Sequence, residues 1–183
     1  MSGVKERIKD VLMKKIAFLI PIFQFIPAIG PWCGIMSIPV IAYFLMLISI
    51  YSDYPDILAL EIAYLLNPRT FIIEKIVALM GFALFVYSAI YLHKHKNGLT
   101  TTGPYSYVRH PQYLGLIIMT FGFTLMSLNT PLIGIVISVW LIEILAYIIL
   151  AKIEEYHLRS KFGDKYIQYM NSVPFMIPFL RRK

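Results

Sequence analysis

The chain has 183 residues, of which 58% are hydrophobic and 15% are charged, and its formal net charge is +7 at pH 7. A chain of this length cannot hide so many apolar side chains in one core and still cover its surface with charge, which excludes an ordinary water-soluble domain. The single cysteine, Cys33, excludes an internal disulfide and a metal site built from cysteines, and no metal site is expected.

The positive charges flank the apolar segments. Basic residues cluster at residues 5–15, 93–96 and 159–183. This distribution is typical of membrane-protein loops that face anionic lipid headgroups, and it fits a nucleic-acid interface poorly. We therefore expect membrane lipids, and no nucleic acid, among the partners of the chain.

Five apolar stretches predict an all-α fold, a polytopic transmembrane bundle of about five membrane helices. They lie at residues 16–29, 32–50, 71–92, 113–129 and 131–151. No linker divides them, so we expect a single integral membrane domain over residues 1–183. Residues 1–92 would form its N-terminal membrane helices and residues 93–183 its functional region.

The two N-terminal stretches contain prolines. Pro21 and Pro27 interrupt residues 16–29, whereas residues 32–50 are a cleaner span despite Pro39. Two crossings, or one crossing and a bent re-entrant segment, both fit this pattern.

Residues 56–66 form a shorter segment that carries Glu61 and ends at Asn67-Pro68. This pattern predicts a helix that is interfacial or buried and does not continue past the proline. Residues 71–92, which follow, predict a full membrane span.

The last two spans predict a tight antiparallel hairpin, because only the turn Asn129-Thr130-Pro131 separates them. Beyond residue 151, charged and apolar residues alternate at helical spacing as far as Gly163-Asp164. A further helix is expected from Tyr166 to Met170, and the helical pattern stops near Pro174 and Pro178.

The distribution of basic residues also predicts an orientation. The N-terminus, the loop at residues 93–112 and the C-terminal tail are all basic, so the positive-inside rule places them in the cytoplasm. This orientation requires an even number of crossings before residue 93. Three spans precede that residue, so either one of them fails to cross or the Glu61 helix crosses too. We favour a failure within residues 20–39.

Residues 103–115 hold an unusual concentration of polar side chains between two apolar spans, including Arg109 and His110. An ionisable group at a membrane edge of this kind suggests a ligand. In a hairpin that turns near residue 130, a rise of about 1.5 Å per residue brings Glu154 and Glu155 close to the Arg109-His110 loop. The sequence therefore predicts a pocket at the cytoplasmic side of the hairpin.

Other residues of the segment fit a flat, bulky ligand. Pro111 is expected as the first residue of a helix, where it biases His110 away from helical dihedral angles and fixes the direction of its ring. Three glycines, Gly98, Gly103 and Gly115, would let the backbone approach the ligand, and Tyr105, Tyr107 and Tyr113 offer flat faces with polar tips. A nucleotide-like ligand suits this set.

Each of these features also has a purely structural interpretation. Arg109, His93 and His95 could be positive-inside anchors, and each tyrosine could belong to an interfacial aromatic belt. The Glu154-Glu155 pair could be a solvated helix face matched to Lys152 and Arg159. Glu143 lies well inside a span, where it could line a substrate pocket or be a protonated carboxyl hydrogen-bonded to a neighbouring helix.

Residues 98–178 resemble the C-terminal catalytic region of the isoprenylcysteine carboxyl methyltransferase family and its phospholipid methyltransferase relatives. The matching positions are Leu99, Gly103-Pro104-Tyr105, Arg109-His110-Pro111, Tyr113, Gly115, Glu154-Glu155, Leu158, Phe162-Gly163, Tyr166, Tyr169, Val173-Pro174 and Pro178.

The resemblance implies an integral membrane enzyme that uses S-adenosyl-L-methionine to methylate a lipophilic acceptor from the bilayer, either prenylated-cysteine-like, isoprenoid or phospholipid. It implies a cofactor pocket between the cytoplasmic loop and the end of the hairpin. The implied cofactor-binding residues are Gly98, Leu99, Thr100, Tyr105, His110, Pro111, Gln112, Tyr113 and Glu154, and the implied catalytic residues are Arg109, His110 and Glu155.

The chain departs from the family at one position. Members that act on prenylated cysteine carry an arginine four residues before the first glutamate of the pair, where this chain has Leu150. The departure weakens the case for a carboxylate acceptor. Lys152 or Arg159 could substitute from a neighbouring turn, but a lysine does not replace the bidentate geometry of an arginine.

Two other functions remain open from the sequence. One is a membrane reductase of a sterol or isoprenoid that binds NADPH, because the wider superfamily shares the hairpin. It is disfavoured because the chain has no phosphate-binding basic cluster beyond Arg109 and residues 93–96. The other is a non-catalytic membrane scaffold that keeps the fold.

Overall fold

The structure is a computed structural model that describes residues 31–95 and 98–178, with side chains from residue 34 onward. The apolar stretch at residues 16–29, the basic residues 5–15 and the end of the basic tail lie outside the described residues. By its internal contacts the chain divides into two compact units, residues 1–38 and residues 39–183. Apart from residues 31–38, the features described below belong to the second unit.

The described residues form helices and turns and contain no strand, which confirms the all-α fold class. The helices are α1 (Pro31–Ser52), α2 (Pro55–Leu66), α3 (Ile72–Lys94), α4 (Pro111–Met126), α5 (Ile133–Phe162) and α6 (Asp164–Ser172). Short 3₁₀ turns cover Gly103–Ser106 and Ser127–Asn129.

Four described segments are long and apolar enough to cross a bilayer, and they confirm four of the five predicted spans. They are Gly34–Ser52, Ile72–Lys94, Pro111–Asn129 and Ile133–Phe162. The protein is therefore a multi-pass membrane protein. The helix of the fourth segment continues past the predicted end of the span at residue 151 to Phe162, in agreement with the helical spacing predicted as far as Gly163-Asp164.

The predicted hairpin of α4 and α5 is confirmed. The chain reverses through residues 127–132, where the Thr130 amide donates to the Ser127 carbonyl at 3.0 Å and the Ile133 amide to the Thr130 carbonyl at 3.3 Å. We call this end of the bundle the turn end. The opposite end, where α3 finishes and α4 begins, is the loop end.

Helices α3 and α4 pack backbone against backbone through glycines. A Cβ atom added to Gly115 would lie 2.6 Å from the Phe85 amide nitrogen, and one added to Gly122 would lie 2.5 Å from the Ala78 amide nitrogen. Such close approach is how membrane helices associate when small residues face each other. The expectation that Gly115 approaches a ligand is therefore wrong, since α3 occupies that space.

The second half of α1 lies along α4. The Tyr43 hydroxyl bonds to Thr124 Oγ1 at 2.9 Å, and the Tyr51 hydroxyl bonds to Ser127 Oγ at 2.7 Å. Helix α1 therefore finishes at the turn end, and it continues through Pro39 without a break.

Helix α2 is too short to span, and none of its residues is buried. Two of its residues, Ile57 and Leu58, are partly buried and pack against a cluster formed by Tyr51, Leu132 and Val136. Among residues 31–95 two segments have the length to cross before residue 93. The stretch at residues 16–29 lies outside the described residues, so the even number of crossings stays a prediction. The cytoplasmic location of the loop end stays a prediction.

Candidate functional site

The loop between α3 and α4 is fixed at the loop end by tyrosines. The buried Tyr105 directs its hydroxyl to the Ser88 carbonyl of α3 at 3.5 Å, while the Tyr169 hydroxyl of α6 donates to the Tyr105 carbonyl at 2.7 Å. The Tyr91 hydroxyl bonds to Thr102 Oγ1 at 2.8 Å, and the Tyr91 ring fills the space beside Gly103. Tyr105 therefore connects α3 with α6 through hydrogen bonds.

The start of α4 sets the direction of His110. The helix begins at Pro111, as predicted, and His110 precedes it with φ −124° and ψ 61°, outside the helical region. The His110 ring stacks on Tyr113 with centroids 5.5 Å apart and meets the edge of Phe175 at 5.1 Å. These contacts leave His110 only 4% exposed.

The segment after α6 closes over this loop. The Arg109 amide donates to the Pro174 carbonyl at 2.9 Å, and the His110 amide donates to the Phe175 carbonyl at 3.3 Å. The Phe175 ring lies 4.3 Å from Lys152 Nζ and 5.5 Å from Arg109 Cζ, as in cation–π contacts. Phe175 was missed from the sequence, although the predicted helix end at Pro174 brings the segment into range.

Five ionisable side chains meet beneath Phe175, and we call them the charge network. Glu155 is 1% exposed, and its oxygens lie 3.0 Å from Arg109 Nη1, 3.4 Å from His110 Nε2 and 3.3 Å from Lys152 Nζ. Glu154 Oε2 lies 3.4 Å from His110 Nδ1. The predicted approach of both glutamates to the Arg109-His110 loop is confirmed.

The network favours the charged form of the histidine. Burial by itself would lower the pKa of the His110 imidazole, but hydrogen bonding and charge from Glu154 and Glu155 outweigh burial, and the pKa is raised above 6.5. A protonated ring has two N–H donors, one for each carboxylate. The position between two carboxylates therefore favours the imidazolium form of His110.

The solvated-face interpretation of the glutamate pair is wrong for Glu155, which is buried and paired with three cations. Glu154 keeps part of its side chain open, at 28% exposure. Arg159 does not join the network, since its Nε points to the Met170 sulfur at 3.1 Å. Of the two proposed partners, only Lys152 pairs with the glutamates.

The remaining predicted cofactor residues lie in a different place. Gly98, Leu99 and Thr100 line a cavity of about 360 Å³ together with Lys94 and His95, and we call it the loop cavity. No residue of the charge network lines it. The structure thus separates the predicted residues into the loop cavity and the cluster formed by His110, Pro111, Gln112, Tyr113 and Glu154.

Some polar residues keep their structural interpretation. Tyr107 is 72% exposed and His93 is exposed, as expected of interfacial anchors. Glu143 is buried in α5, and neither of its carboxyl oxygens has a hydrogen-bond partner within residues 34–95 and 98–178. The Thr120 side chain of the neighbouring helix α4 lies within interaction range of this carboxyl, so the structural interpretation of Glu143 stays open beside the substrate-pocket one.

Comparison with known proteins identifies a family that covers most of the described helices. Residues 40–165, which include the hairpin and the charge network, match the Phospholipid methyltransferase family. No solved structure matches the chain.

Three curated relatives illustrate the range of the similarity. Protein-S-isoprenylcysteine O-methyltransferase A of Arabidopsis thaliana is 34% identical over 88 residues, which are 48% of this chain and 43% of the relative. Protein-S-isoprenylcysteine O-methyltransferase of Schizosaccharomyces pombe is 36% identical over 85 residues, 45% of this chain and 34% of the relative. Methanethiol S-methyltransferase of Crocosphaera subtropica is 32% identical over 108 residues, 56% of this chain and 40% of the relative. The matched part spans less than half the length of each of these relatives.

Proposed function

The chain belongs to the Phospholipid methyltransferase family, and we propose that it is an integral membrane methyltransferase that uses S-adenosyl-L-methionine. The acceptor would be a lipophilic molecule that arrives from the bilayer, and transfer would take place at the cytoplasmic face. The observation that carries this proposal is the buried charge network, in which His110 and Glu154 lie side by side beneath the loop.

Features of the described residues fit the chemistry of this cofactor. Glu154 has a partly exposed carboxylate that can accept hydrogen bonds from an amino group or from ribose hydroxyls. Arg109 Nε is buried without a hydrogen-bond partner among these residues, and the buried Tyr113 hydroxyl lies beside the Glu154 carboxylate, so both polar groups adjoin the proposed cofactor site. The loop cavity at Gly98, Leu99 and Thr100 has a volume typical of small-molecule sites.

The protein would contribute alignment and exclusion of water. When bound, S-adenosyl-L-methionine supplies an electrophilic methyl group on a positively charged sulfur. Arg109 and Lys152 hold the Glu155 carboxylate, which in turn fixes the His110 ring from below. Glu154 would then bind the cofactor from a constant position, and Phe175 would shield the site from water.

Arg109, His110 and Glu155 are assigned as the catalytic residues of this proposal. His110 would touch the ligands in this proposal, which its contacts with Glu154 and with Tyr113 support. Arg109 and Glu155 hold that ring through the 3.0 Å ion pair and the 3.4 Å contact beneath it.

The proposed acceptor classes are prenylated-cysteine-like compounds, isoprenoids and phospholipids, and the site favours those that are not methylated at a carboxylate. Leu150 stands where an arginine is expected for a carboxylate acceptor, and Lys152, which could substitute, is already paired with Glu155. The methyl acceptor is therefore more consistent with a neutral amine or thiol than with a carboxylate.

The proposal is tested by ligand binding to detergent-purified protein. Adenosylmethionine and adenosylhomocysteine should raise the melting temperature, because a ligand that binds only the folded state stabilises it. NADPH should have no effect. Stabilisation by NADPH alone would contradict the proposal, and no response to any of the three would favour a non-catalytic scaffold. Labelled adenosylmethionine supplied to membranes with and without the protein then identifies the lipid that receives the methyl group.

A further inference from the structure

A second cavity lies at the turn end of the bundle, and we call it the turn cavity. Its volume is about 370 Å³, and its walls come from α2, from the start of α3 and from the hairpin turn. The lining includes Leu60, Glu61, Tyr64, Met126 and Asn129. The turn cavity and His110 lie at opposite ends of α4. They are about 22 Å apart along the helix axis, at a rise of about 1.5 Å per residue.

Glu61 is the ionisable group in this cavity. It is half-buried and makes no hydrogen bond or ion pair within residues 34–95 and 98–178. Burial raises the pKa of the Glu61 carboxyl above its ordinary value. Lys75, on the facing part of α3, donates instead to the Asn67 carbonyl at 2.6 Å and the Tyr64 carbonyl at 3.4 Å, where it caps the end of α2.

The surroundings of the turn cavity are those of a bilayer interface. Helix α2 buries none of its residues and exposes Ile62, Leu65 and Leu66. An apolar helix that is too short to span and exposes such side chains lies at the level where headgroups meet acyl chains. The cavity therefore opens to lipid.

We propose that the turn cavity binds a membrane lipid with an amine headgroup, with the ammonium group against the Glu61 carboxylate. A carboxylate is the charge complement of an ammonium headgroup, and no cation among the described residues pairs with Glu61. The Asn129 amide is placed to donate to the lipid phosphate, and Leu60 and Met126 offer an apolar wall for the first acyl carbons. The volume is about twelve times that of one water molecule in the liquid, roughly 30 Å³, which is room for a headgroup.

This site differs from the one proposed for methyl transfer, since the two lie at opposite ends of α4. A lipid bound in the turn cavity would support the fold at the hairpin turn and would not be the methyl acceptor. Because phospholipids are also among the proposed acceptors, lipid binding alone does not identify the turn cavity, and the Glu61 variants below make that distinction.

Lipid titrations of the full chain in detergent test the inference. Phosphatidylethanolamine, phosphatidylglycerol and free ethanolamine phosphate are added separately, and binding is followed by native mass spectrometry and by melting temperature. Phosphatidylethanolamine should bind and raise the melting temperature, whereas phosphatidylglycerol should do neither. Equal effects of the two lipids would overturn the inference, and the same stabilisation by ethanolamine phosphate alone would overturn the assignment to a lipid.

Two matched variants locate the effect. Glu61→Gln should weaken phosphatidylethanolamine binding about tenfold or more, because it removes the charge from a charge-assisted hydrogen bond. Asp56→Asn makes the same change at an exposed position of α2 and should leave binding unchanged. If the Glu61→Gln protein binds the lipid as tightly as the wild type, the proposed lipid site is wrong. If Glu61→Gln fails to fold, Leu60→Trp, which fills the cavity without changing charge, should reduce binding instead.

Discussion

The Nδ1 atom of His110 lies 3.4 Å from Oε2 of Glu154, although the two residues come from opposite arms of the hairpin. The pairing follows from the length of the arms, because α4 and α5 reverse at residues 127–132 and return to the same level at the loop end. Beneath this pair, Glu155 fixes the other face of the ring. One carboxylate is thus buried to hold the histidine, and the other stays partly open to a ligand.

Glu154→Ala should weaken binding of adenosylmethionine by about 10- to 100-fold, since a hydrogen bond to a charged group contributes about 1.5–3 kcal/mol. The protein should stay folded, because Glu154 is partly exposed and Glu155 continues to hold His110. Isothermal titration calorimetry on the purified protein measures the change. Asp164→Ala, at an exposed acidic residue of α6, is the control. Unchanged affinity in Glu154→Ala would mean that its carboxylate is only solvated.

Arg109→Ala should lower the free energy of unfolding by about 3–5 kcal/mol, because it removes the 3.0 Å partner of a carboxylate that is 1% exposed. The double variant Arg109→Ala/Glu155→Gln should recover part of that loss, since the unpaired charge is gone. Thermal unfolding in one detergent measures both. Additive losses in the double variant would show that the two side chains are not coupled.

The elevated pKa of His110 predicts a pH dependence of stability. Because the pKa in the folded state lies above 6.5, the charged histidine contributes its full stabilisation below about pH 6.5 and loses it as the pH rises through the folded value. The melting temperature of the wild type should therefore fall between pH 6.5 and 9 more steeply than that of His110→Gln. Parallel profiles for the two proteins would argue against the imidazolium.

His110→Ala separates a role in transfer from a role in folding. If the ring aligns the cofactor, methyl transfer should be abolished while the melting temperature falls only modestly. His110→Gln, which keeps a hydrogen-bonding side chain, should retain more stability than activity. A loss of activity in proportion to the loss of folded protein would return the ring to a structural role.

The sequence predicted the hairpin, four described spans and the charge network, because each depends on local patterns and on the fixed rise of a helix. The contact of α3 with α4 was not predicted. Gly115 and Gly122 carry no sign of which helix they face, and close approach to a ligand explained Gly115 equally well. Phe175 was missed for a related reason, since its position depends on how the segment after α6 folds back. The type of a residue does not show which other element that residue will pack against.

Glycine substitutions test the close contact of α3 and α4. Gly122→Ala should destabilise the protein, because the new Cβ atom would lie 2.5 Å from the Ala78 amide nitrogen and 2.7 Å from the Glu74 carbonyl oxygen. Gly134→Ala is the matched control, since no atom lies within 4 Å of its Cβ position and α5 is helical there. It should instead stabilise by about 0.5–1 kcal/mol. Equal melting temperatures for the two variants would contradict the packing.

Two buried glutamates on α5 should respond in opposite directions to the same substitution. Glu155 is surrounded by three cations, so Glu155→Leu would leave Arg109 without its ion-pair partner and His110 with Glu154 alone, and should destabilise by about 3–5 kcal/mol. Glu143 makes no hydrogen bond of ordinary length within the described residues and has Thr120 as a polar neighbour, so Glu143→Leu removes a burial cost larger than the interaction it loses and should raise stability by about 1–3 kcal/mol. Thermal unfolding of both variants in the same detergent measures the two changes in stability. A clear loss of stability in Glu143→Leu would show that this carboxyl has a partner in the folded protein and is part of its structure.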